Sequence, residues 1–389
     1  MFGFIGIWCA GAFWNIHVNR LPKPSCRTRI PVGGQRVLSR RHFLTLAAAL
    51  PHLGATSTAR ANPGSFYYKG PLSDHFDGRR FFNPGGDRPR GFGDFLRWRL
   101  SERSEPWPEV YPSPFQDVPP PRVGKHDLRI SFVGHATFLI QTGNRNILTD
   151  PIWSERASPV PFAGPRRYNP PGVSFDNLPP IDAVLISHNH YDHLDVHTLV
   201  RLWERDRPRI VAPLGNDTII RTHNPRVEVT ALDWGEDIEL APGLQVFAEP
   251  AHHWSARATN DRNHALWASF VLRNAGRSIY FAGDTGFGGG RHFQEIGERH
   301  RSLDIALLPI GAYEPRWFMA PQHMNPEDAV RAFRILKAKY ALGFHWGTFK
   351  MTNEAVDQPP RDLAAALQNL SISPRRFIAM RPGQVWAGS

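Results

Sequence analysis

The sequence predicts a mixed α/β (α+β) domain, and its order of elements is compatible with two sheets sandwiched between helices. Three observations carry the prediction. Short aliphatic and β-branched runs come in groups, separated by stretches with helical apolar spacing. Histidine and aspartate residues gather just past the ends of several of those runs. The segment that precedes them is rich in turn-forming residues and has no periodic core of its own.

In chain order, residues 1–61 read as an N-terminal extension. Its string Ser39-Arg40-Arg41-His42-Phe43-Leu44 resembles a twin-arginine export signal, followed by a mildly apolar stretch to Leu53 and a cleavage-type Ala59-Arg60-Ala61. Residues 62–127, dense in Pro, Gly, Arg and aromatics, are expected to wrap the domain as a lead-in. Residues 128–389 hold the periodic elements. Strand-like runs fall at 128–132, 137–141, 147–149, 182–187, 209–212, 244–248, 266–272, 278–282 and 340–344. Amphipathic helices fall at 196–205, 326–339 and 361–369. No internal repeat is evident.

The formal net charge of +11 invites a nucleic-acid or anionic-membrane partner. Its distribution argues otherwise. Residues 1–61 contain eight Lys and Arg and no acidic residue. Without them 38 basic residues face 35 acidic ones, a net of about +3, so nucleic acid is not expected as a partner. The same extension holds both cysteines, Cys9 and Cys26. A mature chain without thiols suits an oxidising periplasm, and export by the twin-arginine route is the expectation. Residues 1–14 are apolar but fall short of the roughly 20 residues a membrane span needs. This favours a true start near Val37, with an uncleaved anchor as the other option.

The chemistry is concentrated in His188-Asn189-His190-Tyr191-Asp192-His193, an H-x-H-x-D-H string at the end of the 182–187 run. Residues two apart on extended backbone point the same way, so His188 and His190 can bind one metal ion from one side. Asp192 and His193 follow as the loop turns into the 196–205 helix and can reach a second. Imidazole nitrogens with carboxylate oxygens suit Zn²⁺ and are compatible with Fe or Mn. Further ligand-type residues follow other strand-like runs: His252 and His253 after 246–250, Asp284 after 278–282, and His345 after 340–344.

The order H-x-H-x-D-H, then His, then Gly283-Asp284-Thr285, then His345 resembles the metallo-β-lactamase superfamily over about residues 125–389. Within it, LISHNHYDHLD at 185–195, PIGAYEPRWFM at 309–319, YNPPGV at 168–173 and HWGTF at 345–349 resemble the N-acyl-phosphatidylethanolamine-hydrolysing phospholipase D family. Strings at 78–84 and 95–98 match the lead-in of that family more loosely. The resemblance implies an αββα sandwich and two zinc ions. His188, His190 and His253 would hold one, Asp192, His193 and His345 the other, and Asp284 would bridge them. His253 fits the A-x-H-W pattern, with His252 as the alternative.

The resemblance further implies a functional role for His323, on a loop before the 326–339 helix. It could hydrogen-bond a phosphate or protonate a leaving oxygen, with Asp192 and Asp284 completing the catalytic set. Asp150 could take the free N–H of a ligand histidine, or merely open an Asp-Pro turn; His135 is expected behind the ligands. Gln322, Arg316, Trp317 and Phe318, with Met319, are the substrate-binding candidates, Arg316 near phosphate and the others as an apolar lip. The implied reaction is attack of a metal-activated water on N-acyl-phosphatidylethanolamine, giving phosphatidic acid and N-acylethanolamine, with a membrane surface as the place of substrate. Two alternatives stand beside it. One is a lactonase, esterase or amidase acting on a small substrate; the other is a non-catalytic, lipid-binding envelope metalloprotein.

Overall fold

The computed structural model describes residues 64–86 and 90–388. The twin-arginine-type string, the cleavage-type site and both cysteines lie outside them. Among the described residues no helix is long and apolar enough to cross a membrane.

The first sheet is built from β1 (Leu128–Gly134), β2 (Thr137–Thr142), β3 (Arg145–Thr149), β4 (Ala183–Leu185), β5 (Arg209–Pro213) and β6 (Val229–Leu232). The second holds β7 (Asp237–Ala241), β8 (Leu244–Glu249), β9 (Ser269–Asn274), β10 (Arg277–Phe281), β11 (Ile305–Pro309), β12 (Tyr340–Phe344) and β13 (Phe377–Ala379). The last strand, β14 (Val385–Gly388), returns to pair with β1, giving the orders β14-β1-β2-β3-β4-β5-β6 and β13-β12-β11-β10-β9-β8-β7. Each sheet is antiparallel in one half and parallel in the other. The parallel halves need crossovers, which the helices supply: α2 (Val196–Asp206) and α3 (Asn216–His223) for the first sheet, α4 (Arg291–Arg299), α6 (Pro326–Leu336) and α7 (Gln358–Asn369) for the second.

Strand alternation explains the layers. On β2, Phe138 and Ile140 point into the space between the sheets, where they meet Phe270, Phe281 and Phe344, while Leu139 points outward beneath α2. On β4, Ala183 and Leu185 face the inter-sheet core and Val184 the helices. Both faces of each sheet are thus buried, which is why these runs read as continuously apolar. Leu199, Leu202 and Trp203 of α2 cover the first sheet; Phe293, Val330 and Phe333 cover the second. The result is the αββα sandwich.

The boundaries differ from the sequence expectation where a local rule intervenes. The run 266–272 becomes a strand only at Ser269, because the Trp267 indole turns back to the Ala251 carbonyl (2.8 Å) and packs on Phe76 and Phe81. Helix α6 stops at Leu336 rather than 339 because Lys337 takes a left-handed conformation (φ 54°) that ends it. In the lead-in, Phe76 and Phe81 are buried against Ala251 and Leu266. It also contains a helix the sequence did not announce, α1 (Phe92–Ser101), whose Trp98 packs on Phe318 and Met319 of the one-turn α5 (Arg316–Met319).

Candidate metal centre

Every side chain of the histidine and aspartate cluster is delivered from the end of a strand at one edge of the sandwich. The loop after β4 carries His188, His190, Asp192 and His193, and is closed by Asp195, whose carboxylate caps α2 through Thr198 (N–H, 3.3 Å; Oγ1, 2.6 Å). His253 follows β8, Asp284 follows β10 and His345 follows β12. Two glycines make the crossing of these loops feasible. A Cβ on Gly283 (φ 57°) would lie 2.6 Å from the Ser187 Cβ, and one on Gly311 would lie 2.1 Å from the His345 carbonyl oxygen.

Four ligand-type atoms converge at one point. His193 Nε2 is 3.2 Å from Asp284 Oδ2 and 3.3 Å from Asp192 Oδ2. His345 Nε2 is 3.1 Å from Asp284 Oδ2, 3.4 Å from Asp192 Oδ2 and 3.2 Å from His193 Nε2. Five of the six edges of a tetrahedron are therefore nearly equal. Ligand atoms spaced about 3.3 Å apart are what a tetrahedral ion with bonds of about 2.0 Å requires. A second group sits beside it: His190 Nδ1 is 2.9 Å from His188 Nε2 and 3.3 Å from His253 Nε2. Asp284 Oδ2 is 3.8 Å from His253 Nε2, so this oxygen stands between the groups, while Asp284 Oδ1 is buried without a hydrogen-bond partner. The donor set fits cations in both places.

Electrostatics points the same way. Against a burial that alone would raise them, neighbouring histidines hold the carboxyls of Asp192 and Asp284 well below the usual carboxylate range. Burial opposes protonation of His345, yet Asp284 and Asp192 push it up to about 9, and the same carboxylates hold His193 well above its ordinary value. Two buried carboxylates thus demand positive charge at one point, and a metal ion meets that demand by displacing protons. Burial, with little compensating charge, keeps His188 and His190 well below the ordinary value and His253 at about 4, so these three present neutral nitrogens.

The outward nitrogens are fixed from behind. His193 Nδ1 donates to Asp150 Oδ2 (2.7 Å), and the same carboxylate accepts from the Ser187 N–H (2.7 Å) and Ser187 Oγ (2.5 Å). Ser187 Oγ in turn lies 2.9 Å from His188 Nδ1. His253 Nδ1 donates to the Gln322 carbonyl (3.0 Å). These contacts turn Nε2 of all three rings to the centre. His135 is nearer than the sequence suggested: its Nε2 is 2.8 Å from Asp192 Oδ2, within a buried set with His193 and His345. His252 lies outside the cluster, stacked on His292 (4.4 Å).

A cleft opens over the centre. His190, Asp192, Asp284, His323 and His345 line its floor together with Gln322, and Phe95, Trp98, Trp254, Phe318 and Met319 its walls. Two substrate candidates need correction. The Arg316 guanidinium donates to the His323 carbonyl (2.9 Å) and pairs with Asp328 (2.8 Å), so it braces the loop of His323 and is no part of the cleft wall. Trp317 turns away too, its indole N–H donating to Glu102 (3.1 Å) beneath Arg97. The sequence missed Phe95 and Trp98. Their spacing of three, the helical neighbour distance, was the available signal.

A model of the β-lactamase superfamily domain matches residues 145–346. The chain is 36% identical over 270 residues to N-acyl-phosphatidylethanolamine-hydrolysing phospholipase D 1 of Caenorhabditis elegans, covering 67% of this chain and 75% of that one. It is 36% identical over 222 residues to the mitochondrial N-acyl-phosphatidylethanolamine-hydrolysing phospholipase D of Saccharomyces cerevisiae, covering 56% and 47%. Among solved structures, the isothiocyanate hydrolase from Delia radicum gut bacteria shares the fold with a TM-score of 0.54 at 18% identity, over 67% of this chain and 99% of that one. With the αββα sandwich and its edge cluster of histidines and aspartates, these matches make the chain a member of the metallo-β-lactamase superfamily and a metal-dependent hydrolase of that fold.

Proposed function

We propose that the protein is a dinuclear zinc phosphodiesterase of the phospholipase D type, cleaving N-acyl-phosphatidylethanolamine into phosphatidic acid and N-acylethanolamine. The observation that carries this reading is the juxtaposition in the cleft: a cation-demanding floor beneath an aromatic and aliphatic wall. A phosphodiester bearing acyl chains needs both. The two curated relatives with that activity in their names support the choice of substrate.

His188, His190 and His253 would hold one ion, Asp192, His193 and His345 the other, with Asp284 shared. Bound there, the ions would supply Lewis acidity to activate a water and to draw charge from phosphoryl oxygens. The remaining work falls to the chain. Trp98, its ring 5.0 Å from and tilted against that of Phe318, forms with Met319 a dry wall for the acyl chains. His323, 3.9 Å from Asp284 through Nδ1, is held well below the ordinary histidine value, chiefly by burial. It is therefore neutral at neutral pH, which suits a hydrogen-bond donor to the phosphate better than a proton donor to the leaving oxygen. Arg316 fixes that loop by gripping the His323 carbonyl.

The test is turnover of N-acyl-phosphatidylethanolamine in mixed micelles by the zinc-loaded full chain, reading phosphatidic acid and N-acylethanolamine together. Asp284→Asn and His345→Ala are expected to lose at least about a hundredfold. Turnover of lactones, esters or amides without release of phosphatidic acid would overturn the proposal.

A further inference from the structure

Beside the metal-ligand loop, sharing Tyr191 with the cleft, lies a second, open cavity of about 360 Å³. Arg156, Arg257, His197 and His223 line it, against a single carboxylate, Asp195. That carboxylate is already engaged. Its Oδ2 accepts from the backbone N–H groups of Trp153 (3.3 Å) and Ser154 (3.0 Å) and from Thr198 Oγ1 (2.6 Å). Neither guanidinium of the wall forms an ion pair with it.

The two guanidiniums are only partly used. Arg257 makes both of its side-chain hydrogen bonds through Nη1, to the carbonyls of Asn189 and Leu194 (2.9 Å each), and lies 3.9 Å over the Tyr191 ring. Arg156 donates through Nη1 to the Gly164 carbonyl (2.6 Å). Among the described residues neither has a carboxylate within ion-pair distance, and neither uses Nη2 in a hydrogen bond. A planar, half-buried donor fork lacking a carboxylate partner is what a phosphoryl group recognises. The rest of the wall mixes the apolar side chains of Leu194, Val196 and Ile219 with the hydroxyls of Ser154, Ser158 and Thr222, and leaves room for a small organic substituent.

We infer that this cavity binds a phosphomonoester, its oxyanion between Arg156 and Arg257 and its organic part against Leu194, Val196 and Ile219. The inference is independent of the reaction assigned above. The occupant would touch the metal loop, since Arg257 clamps carbonyls on either side of His190, Asp192 and His193, and Tyr191 lines both the cavity and the cleft.

The experiment is calorimetric titration of the metal-loaded full chain with glycerol phosphate and, separately, inorganic phosphate, for wild type, Arg156→Gln, His197→Ala and Asp284→Asn. Saturable binding of glycerol phosphate is expected in wild type and in Asp284→Asn. It should weaken at least about tenfold in Arg156→Gln, the loss of one charged hydrogen bond, and about threefold in His197→Ala. Inorganic phosphate showing the same pattern means the oxyanion suffices; binding of the ester alone means the organic part contributes. If Arg156→Gln fails to fold, exposed His197 still reports on the site. Absence of saturable binding would overturn the inference. So would binding lost in Asp284→Asn but unchanged in the cavity variants, which would place the anion at the metal centre.

Discussion

Asp150→Asn is the substitution that most sharply probes how the centre is held. The carboxylate is fully buried and has three donors around it: the Ser187 N–H on Oδ1, and Ser187 Oγ with His193 Nδ1 on Oδ2. An asparagine of the same shape cannot serve all three. With its amide nitrogen at the Oδ2 position it opposes two donors, one of them the ring that orients His193. With the amide reversed it opposes the Ser187 N–H, leaving a buried backbone donor unpaired at a cost of about 1–3 kcal/mol. Either way the metal ligands lose their backing, because Ser187 Oγ also contacts His188 Nδ1. Loss of such a supporting contact typically weakens metal affinity 10–100-fold, or about 1.4–2.7 kcal/mol. Competition for zinc against a chromophoric chelator measures the affinity, and thermal melts of the zinc-loaded protein measure the fold. Zinc affinity within twofold of wild type, with an unchanged melt, would show that the Asp150 carboxylate does not hold the ligands in place.

Other expectations follow from the same geometry. Zinc loading at pH 7.5 should release protons, because His345 is held up at about 9 and must deprotonate to bind; apparent affinity should fall as pH drops, and calorimetry in buffers of different ionisation enthalpy counts the protons. Trp98→Ala should raise KM for N-acyl-phosphatidylethanolamine about tenfold through lost apolar contact, and leave turnover of a short soluble phosphodiester unchanged. An equal loss on both substrates would show that Trp98 shapes the floor rather than the wall. Export of a folded reporter fused to residues 1–61 should depend on Arg40 and Arg41, and equal export by an Arg40→Lys, Arg41→Lys fusion would exclude the twin-arginine route.

Much of the site could be read from the sequence because each ligand follows a strand whose apolar run is unmistakable. Strand β12 occupies Tyr340–Phe344 as its composition predicts, and His345 comes next. What escaped was direction. Arg316 and Trp317 sit in a string that marks them as functional, but where they point is decided by partners far along the chain or in other elements, Asp328 and Glu102. Helix α1 escaped for a related reason. Leu96 and Leu100 remain exposed, so its apolar positions do not form one buried stripe, and its place over the cleft depends on Phe318 and Met319. The supporting role of Asp150 was half visible as a strand-end carboxylate. Its link to His188 through Ser187 required the parallel pairing of β3 with β4, which no spacing encodes.

The central claim is that one carboxylate joins two metal positions at the strand ends. Anomalous diffraction at the zinc edge from crystals of the zinc-loaded protein tests it most directly. Two peaks are expected, one among His188, His190 and His253 and one among Asp192, His193 and His345, with Asp284 between them. A single peak, or two peaks with Asp284 bound to neither, would contradict it.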